Sequence, residues 1–220
     1  MPQTTTTFIA VRQEWQEAWQ LPAFRRKVMI GMVLIVMILS LFPHFFQAIE
    51  LRHGILLNDP LLSLMRPHDV SIPMFIIIWA ITLLSVFRAA QTPQMFLTFL
   101  WAYIFLSLCR VLTITLIPLD PPVGLVNLRD PLSNFFYGEK FVTKDLFFSG
   151  HTSTVFLLYL TIPGKMDKKL ALLATACVGS LLLVQHVHYT LDVLGGLLFA
   201  WGCYYLARKT VVKEFDGYAD

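Results

Sequence analysis

The chain has 220 residues, of which 56% are hydrophobic and 14% charged, with 18 phenylalanines and a formal net charge of +3. Soluble domains carry ~45–50% apolar and ~25% charged residues, so this balance excludes a disordered chain or a disulfide scaffold and argues against a water-soluble globule. The small net charge gives no reason to expect a nucleic-acid partner.

In chain order, residues 1–27 are expected at a membrane surface. Within them, residues 8–24 place Trp15 and Trp19 four apart, with Arg12, Glu14 and Glu17 on other faces. That pattern suits an interfacial helix with aromatic anchors, or equally an ordered start to the first span. The segment does not read as a cleavable signal, because no short apolar core precedes a small-residue cleavage site. Six apolar stretches follow, at about 28–46, 72–87, 94–117, 146–162, 170–188 and 190–207, each a candidate span for a ~30 Å hydrocarbon core. The second and fourth are short and are expected to extend into flanking polar residues. Asn58-Asp59-Pro60, Arg66-Pro67, Gln91-Thr92-Pro93, Pro118 through Gly124 and Pro163-Gly164-Lys165 separate them, being turn and breaker sequences. The last two stretches nearly touch, which predicts a tight reversal between His188 and Asp192. The fold class expected is therefore all-α: a polytopic bundle of six transmembrane helices spanning 28–207, a short N-terminal interfacial helix and a tail over 208–220. Cys109, Cys177 and Cys203 lie in apolar runs without C-x-x-C spacing and read as small buried hydrophobes.

Orientation follows from Lys and Arg. With a cytoplasmic N-terminus, Arg12, Arg25, Arg26, Lys27, Arg88, Lys165, Lys168, Lys169, Arg208, Lys209 and Lys213 fall inside. Arg52, Arg66, Arg129, Lys140 and Lys144 fall outside, and Arg110 lies within a span. Both termini are thus expected in the cytoplasm.

Ionisable groups at membrane depth are costly and point to pairing or function. Arg110 lies ~10 Å from the outer end of the third span at 1.5 Å per residue. Ser149-Gly150-His151-Thr152 opens the fourth, and Gln185-His186-Val187-His188-Tyr189-Thr190 closes the fifth, with Asp192 opening the sixth. Three polar intrusions converge at one depth on the noncytoplasmic side. Their chemistry suits phosphoryl transfer: Arg110 offers a planar fork to phosphate oxygens. Asp192, four residues after His188, is within one helical turn and orients its imidazole. His151 supplies an acid from another helix, and a helix start after Ser149-Gly150 aims N–H groups at an anion. His186 has the wrong spacing to Asp192 and reads as an interfacial residue. A His/His/Asp set also suits zinc, but Arg110 nearby repels a cation. Neither a metal nor another cofactor is expected.

These residues carry a resemblance. Ser149-Gly150-His151-Thr152 with His188-Tyr189-Thr190-x-Asp192-Val193, Arg110-x-x-Thr113 ahead of Pro118, and Asp145 four residues before Ser149 resemble the sphingomyelin synthase branch of the type-2 phosphatidic acid phosphatase superfamily, over roughly residues 60–207. Phe148 and Leu181-Leu182 stand where the wider superfamily has proline and Ser-Arg, which fits the synthase branch. Thr143-Lys144 replaces that branch's Cys-Gly, and Arg66-Pro67-His68-Asp69 matches its first motif only in part. The resemblance implies a six-span enzyme with a noncytoplasmic site. In it His188 attacks phosphorus and carries a phosphohistidine, Asp192 orients His188, and His151 protonates the departing diacylglycerol. Arg110 clamps phosphate, and Asp145, Ser149, Gly150, Thr152 and Tyr189 join the substrate site.

The leading expectation is a lipid phosphotransferase, with a phospholipid donor and ceramide or a similar lipid alcohol as acceptor. Water as acceptor would make the same site a lipid phosphatase or phospholipase C-like hydrolase. A non-catalytic lipid-binding or transport subunit is the third alternative. The sequence is silent on oligomeric state.

Overall fold

The computed structural model describes residues 3–128 and 142–213, with side chains from residue 9 onward. Arg129 and Lys140, counted above on the outer side, lie outside the described residues. So does the end of the tail from residue 214.

The described residues are all-α apart from one parallel bridge between Ile55 and Leu119. The helices are α1 Gln3–Gln20, α2 Pro22–Glu50, α3 Pro60–Ser63, α4 Ser71–Gln91, α5 Pro93–Leu116, α6 Gly150–Thr161, α7 Lys165–Val184 and α8 Thr190–Ala207. A π-helical turn, Arg208–Val212, carries α8 further. Proline begins α2, α3 and α5, where its missing N–H costs nothing because that group has no helical partner.

Among the described residues, four helices are long and apolar enough to cross a membrane: Pro22–Glu50, Ser71–Gln91, Pro93–Leu116 and Thr190–Val212. The expected fourth and fifth spans correspond to α6 and α7, which differ from the other four. α6 has 12 residues, about 18 Å at 1.5 Å per residue, because the stretch from 142 to 149 stays non-helical. α7 spends its first turn on Lys165, Asp167, Lys168 and Lys169. The second stretch does extend into polar flanks, reaching Gln91.

α6 packs against α4, α5, α7 and α8, while α2 covers α5 from outside and α4 covers α7. Leu157, Val155, Val178, Leu182 and Ala200 are fully buried where these helices meet. Gly196 of α8 lets two backbones come close: a Cβ there would lie 3.1 Å from the Ser149 carbonyl oxygen. Cys203 Sγ lies 3.8 Å from Cys109 Sγ, a contact between α8 and α5 that sequence spacing gave no hint of.

Residues 8–24 are not one interfacial helix. α1 ends at Gln20, and α2 begins at Pro22. Trp15 is an anchor to protein more than to lipid, since its indole N–H donates to the Ala90 carbonyl at 2.8 Å and its ring packs on Phe24 and Phe96. Trp19 remains exposed.

At the opposite end, Asp59 ties loop to bundle. It caps α3, with Oδ1 accepting from the Leu61 and Leu62 amides at 3.0 and 3.3 Å. It also caps α8, with Oδ2 accepting from the Thr190 amide at 2.6 Å and Oδ1 from the Thr190 hydroxyl at 3.1 Å. Burial raises the pKa of this carboxyl, but the bonds from Thr190, Leu62 and Leu61 outweigh it and hold the value below the ordinary one. A depressed pKa contributes stability that is present above the unfolded-state value and is lost as pH falls through the folded one. Asp59→Ala should therefore cost about 1–2 kcal/mol at neutral pH, as loss of a helix cap does. Thermal unfolding in detergent should show the gap between wild type and variant closing as pH drops from about 5 toward 3.

Candidate active site

Three non-helical segments meet over the ends of α5, α6 and α8. Leu119 and Ile55 pair through the Ile55 amide to the Pro118 carbonyl at 2.9 Å and the Asp120 amide to the Ile55 carbonyl at 3.1 Å. Glu50, at the end of α2, accepts from the Thr143 and Lys144 amides at 3.0 and 3.1 Å, and from the Thr143 hydroxyl. Lys144 Nζ pairs with Asp120 Oδ1 at 3.0 Å and donates to the Arg52 carbonyl. These bonds fix the strand-like approach to Asp145 and Ser149.

Asp192 is fully buried, where an unpaired carboxylate would be costly. Its Oδ2 accepts from the Tyr189 amide at 3.0 Å and lies 3.3 Å from His188 Nδ1, and its Oδ1 accepts from the Phe147 amide at 3.3 Å. Tyr189 is the N-cap of α8 and Asp192 its third residue, half of a capping box. His188 therefore meets Asp192 differently from the expected helical turn: it sits outside the helix, and the side chain that caps α8 also reaches the imidazole. With Nδ1 facing the carboxylate, Nδ1 carries the proton and Nε2 is the free nitrogen.

The same aspartate joins α8 to α6 through its backbone, since the Ser149 amide donates to the Asp192 carbonyl at 3.0 Å. Ser149 caps α6, its hydroxyl accepting from the Thr152 amide at 3.4 Å and bonding the Thr152 hydroxyl at 3.1 Å. Gly150 is the first residue of α6, and Arg110 lies flat against it. A Cβ on Gly150 would stand 2.6 Å from Arg110 Cζ, so only glycine admits the guanidinium there. Arg110 Nη2 pairs with Asp145 Oδ1, and its Nε is buried without a partner. His151 follows in the first turn of α6, half-buried, its ring edge-on to Phe75 of α4 at 6.0 Å.

Arg110, Asp145, Ser149, Gly150, Asp192 and His188 thus form one connected cluster, with His151 next to Gly150. Thr152 is fully buried, its amide and hydroxyl both bonded to Ser149, which makes it part of the cap. Tyr189 is also buried. Its hydroxyl donates to the Asp120 carbonyl at 2.9 Å and accepts from the Leu57 amide at 3.2 Å, so it braces the two loops over the site. His186 is not the interfacial residue expected. It is 4% exposed, adopts φ +54° and bonds the Val123 carbonyl through Nδ1 at 3.0 Å. The reversal between α7 and α8 contains no glycine, so this residue takes the left-handed turn and is folded inward.

Gln185 is a connection that composition hides. Fully buried at the end of α7, it donates to the Ser71 hydroxyl at 2.8 Å and to the Val126 and Asn127 carbonyls at 3.3 Å, and accepts from the Val70 amide at 3.3 Å. One amide in an apolar helix end was a legible signal for it. Asp59 was legible too: an aspartate ahead of proline and two leucines is a helix-start signature, although its sequence reads equally as a breaker.

The positive end of α6 and the Arg110 guanidinium face the same point, beside the imidazole-carboxylate pair. Backbone amides and the helix dipole favour an anion there, and Asp145 supplies the one now present.

Residues 144–209 match the family model described as PAP2 superfamily C-terminal. No curated protein and no solved structure matches the chain. The matched segment includes Asp145, the Ser149-to-Thr152 cap, His188 and Asp192, whereas Arg110 lies ahead of it. Most of the assembled cluster therefore lies in the part of the chain that is similar to that family.

Proposed function

We propose that the protein is an integral-membrane lipid phosphotransferase. In this reading it moves a phospho-headgroup, of phosphocholine or phosphoethanolamine type, from a glycerophospholipid to ceramide or a similar lipid alcohol. The observation that carries the proposal is the buried Asp192–His188 pair, bonded through Ser149 to the helix start where Arg110 lies. Arg110 and the α6 amides bind the non-bridging phosphate oxygens in place of the Asp145 carboxylate. His188 Nε2 attacks phosphorus and breaks the bond to the glycerol oxygen, while Asp192 stabilises the imidazolium form that results. His151 gives a proton to the departing diacylglycerol oxygen, then takes one from the acceptor hydroxyl as that oxygen attacks the phosphohistidine. Water in the second step yields the hydrolase reaction. A binding or transport role without catalysis leaves the His188–Asp192 pairing without a use.

The catalytic unit in this reading is 28–207, flanked by 1–27 and 208–220. α6 and α7 are the fourth and fifth of six crossings, both termini are cytoplasmic, and the site opens on the noncytoplasmic face. Four long apolar helices and the Lys/Arg distribution support that arrangement. Val123 and Met166 are both exposed, so cysteines placed there report sidedness. A membrane-impermeant thiol reagent on intact cells should label Val123→Cys and spare Met166→Cys; equal labelling of both overturns the orientation.

Purified protein given labelled phosphatidylcholine or phosphatidylethanolamine with ceramide should form a phosphosphingolipid and diacylglycerol. Free phosphoalcohol released regardless of ceramide would instead identify the hydrolase, and no turnover of any donor would end both readings. His188→Ala should abolish turnover and the acid-labile phosphoprotein. Asp192→Asn should lower turnover by about 10³–10⁴-fold, the scale on which losing the orienting carboxylate of a triad acts.

Gly150→Ala should reduce turnover by about 10²-fold or more by displacing Arg110 from the helix start, the scale of losing one oxyanion donor. Its unfolding temperature should stay near that of wild type. Because Arg110 and the α6 amides supply the positive field, activity should persist in chelator; loss on chelation with rescue by zinc would contradict this mechanism.

A further inference from the structure

The chain has a second cationic pocket at the other end of the bundle. α4 begins at Ser71, beside Gln185 and the active-site reversal, and ends at Gln91, beside Trp15. Its 21 residues put about 30 Å between the two ends. The elbow between α1 and α2 there forms an open groove of about 850 Å³, lined by Arg12, Trp15, Gln16, Trp19, Gln20 and Arg25.

The lining has one sign of charge. Arg12, Trp15, Gln16 and Trp19 share a face of α1, at spacings of three and four, while Glu14 and Glu17 fall on the opposite side. Arg25 arrives from the first turn of α2. Neither the Arg12 nor the Arg25 side chain has a hydrogen bond or ion pair with any described residue, unlike that of Arg88, which bonds Asp167 at 2.7 Å at the same end of α4.

The elbow is rigid enough to hold this shape. Trp15 is bonded to Ala90, Phe24 is buried beneath both tryptophans, and Lys27 donates to the Val211 carbonyl at 2.7 Å. From Arg25, the exposed residues Met29, Met32 and Val36 continue down one face of α2 at steps of three and four. A guanidinium pair at a membrane surface therefore sits directly above an apolar track for acyl chains.

We infer that the α1–α2 elbow is a binding site for one anionic glycerophospholipid of the adjoining leaflet, distinct from the catalytic cluster. Its phosphodiester lies between Arg12 and Arg25, and Gln16 and Gln20 reach headgroup hydroxyls. The exposed indole of Trp19 sits at the level of the ester carbonyls, where such rings partition, with Trp15 behind it, and the acyl chains follow Met29, Met32 and Val36. A zwitterionic lipid adds an ammonium that two guanidinium groups repel. Juxtamembrane cations gain about 1 kcal/mol each from anionic lipid. Removing both therefore weakens retention by about 30-fold.

Native mass spectrometry of the detergent-purified full chain, with phosphatidylglycerol or phosphatidylcholine of matched acyl chains, tests this. Wild type and His188→Ala should both retain one phosphatidylglycerol under conditions that strip phosphatidylcholine. The double variant Arg12→Gln/Arg25→Gln should lose that adduct about 30-fold more readily at an unchanged unfolding temperature. Gln20→Lys, which adds a cation to the rim, should retain it longer. Millimolar glycerol phosphate should not displace it. Equal retention of the two lipids, an unaffected double variant, no gain in Gln20→Lys, displacement by free glycerol phosphate, or loss in His188→Ala would each overturn the assignment. Retention does not depend on turnover, so it stands or falls separately from the phosphotransferase reading.

Discussion

A carboxylate with no exposure in an apolar bundle has to be surrounded by donors, and the way Asp192 meets that requirement organises the rest of the protein. Its two oxygens accept from the Tyr189 amide, the Phe147 amide and the His188 ring, and its carbonyl accepts from the Ser149 amide. One residue thereby caps α8, holds the loop before α6, orients an imidazole and sets the distance between two helix starts. Burial makes each bond stronger and each omission more costly. The glycine at 196 is the steric counterpart, because the two helices approach closely enough for these bonds only where no Cβ intervenes.

The second constraint is positive charge. Arg110 lies inside a span, against the first residue of a helix whose amides point the same way. Two positive ends facing one point require an anion, and Asp145 provides it in the structure as it stands. In the proposed reaction a phosphodiester, which carries the same charge, takes the place of Asp145. The loops above are held by a separate set of bonds, from Asp59, Glu50, Lys144, Tyr189 and Gln185. The candidate site residues are therefore mounted on helix ends and braced from the side.

Several of these parts were legible before any fold was known. His188 and Asp192, Ser149 through His151, and Arg110 stand out because ionisable side chains are expensive in an apolar run. Others were not. Thr152 and Tyr189 sit within the motifs but spend their polar atoms on the helix cap and on two loops. His186 has the composition of an interfacial residue, yet a turn without glycine folds it inward. Cys109 and Cys203 come within 3.8 Å across 94 residues of chain, a pairing that depends on how α5 packs against α8. The apolar stretch near 146–162, short for a span, was expected to extend into its polar flanks, and its helix is instead shorter still, Gly150–Thr161. Ahead of the helix, Asp192 holds the Phe147 amide while Glu50 and Asp120 hold Thr143 and Lys144, leaving 12 residues in the helix.

Sequence alone determined that this chain carries long apolar helices suited to a membrane, and which few polar residues have no business in lipid unless they are paired or used. Those properties depend on local composition and spacing, which transfer energies read directly. Tertiary structure decided which of those residues meet: that His188 touches Asp192 from outside the helix, that Gly150 makes room for Arg110, and that Tyr189 braces two loops. It also decided that the α1–α2 elbow forms an open groove lined by Arg12 and Arg25. Each depends on the packing of segments distant in the chain, and a hydrogen bond at 3 Å is fixed by that packing and by nothing local.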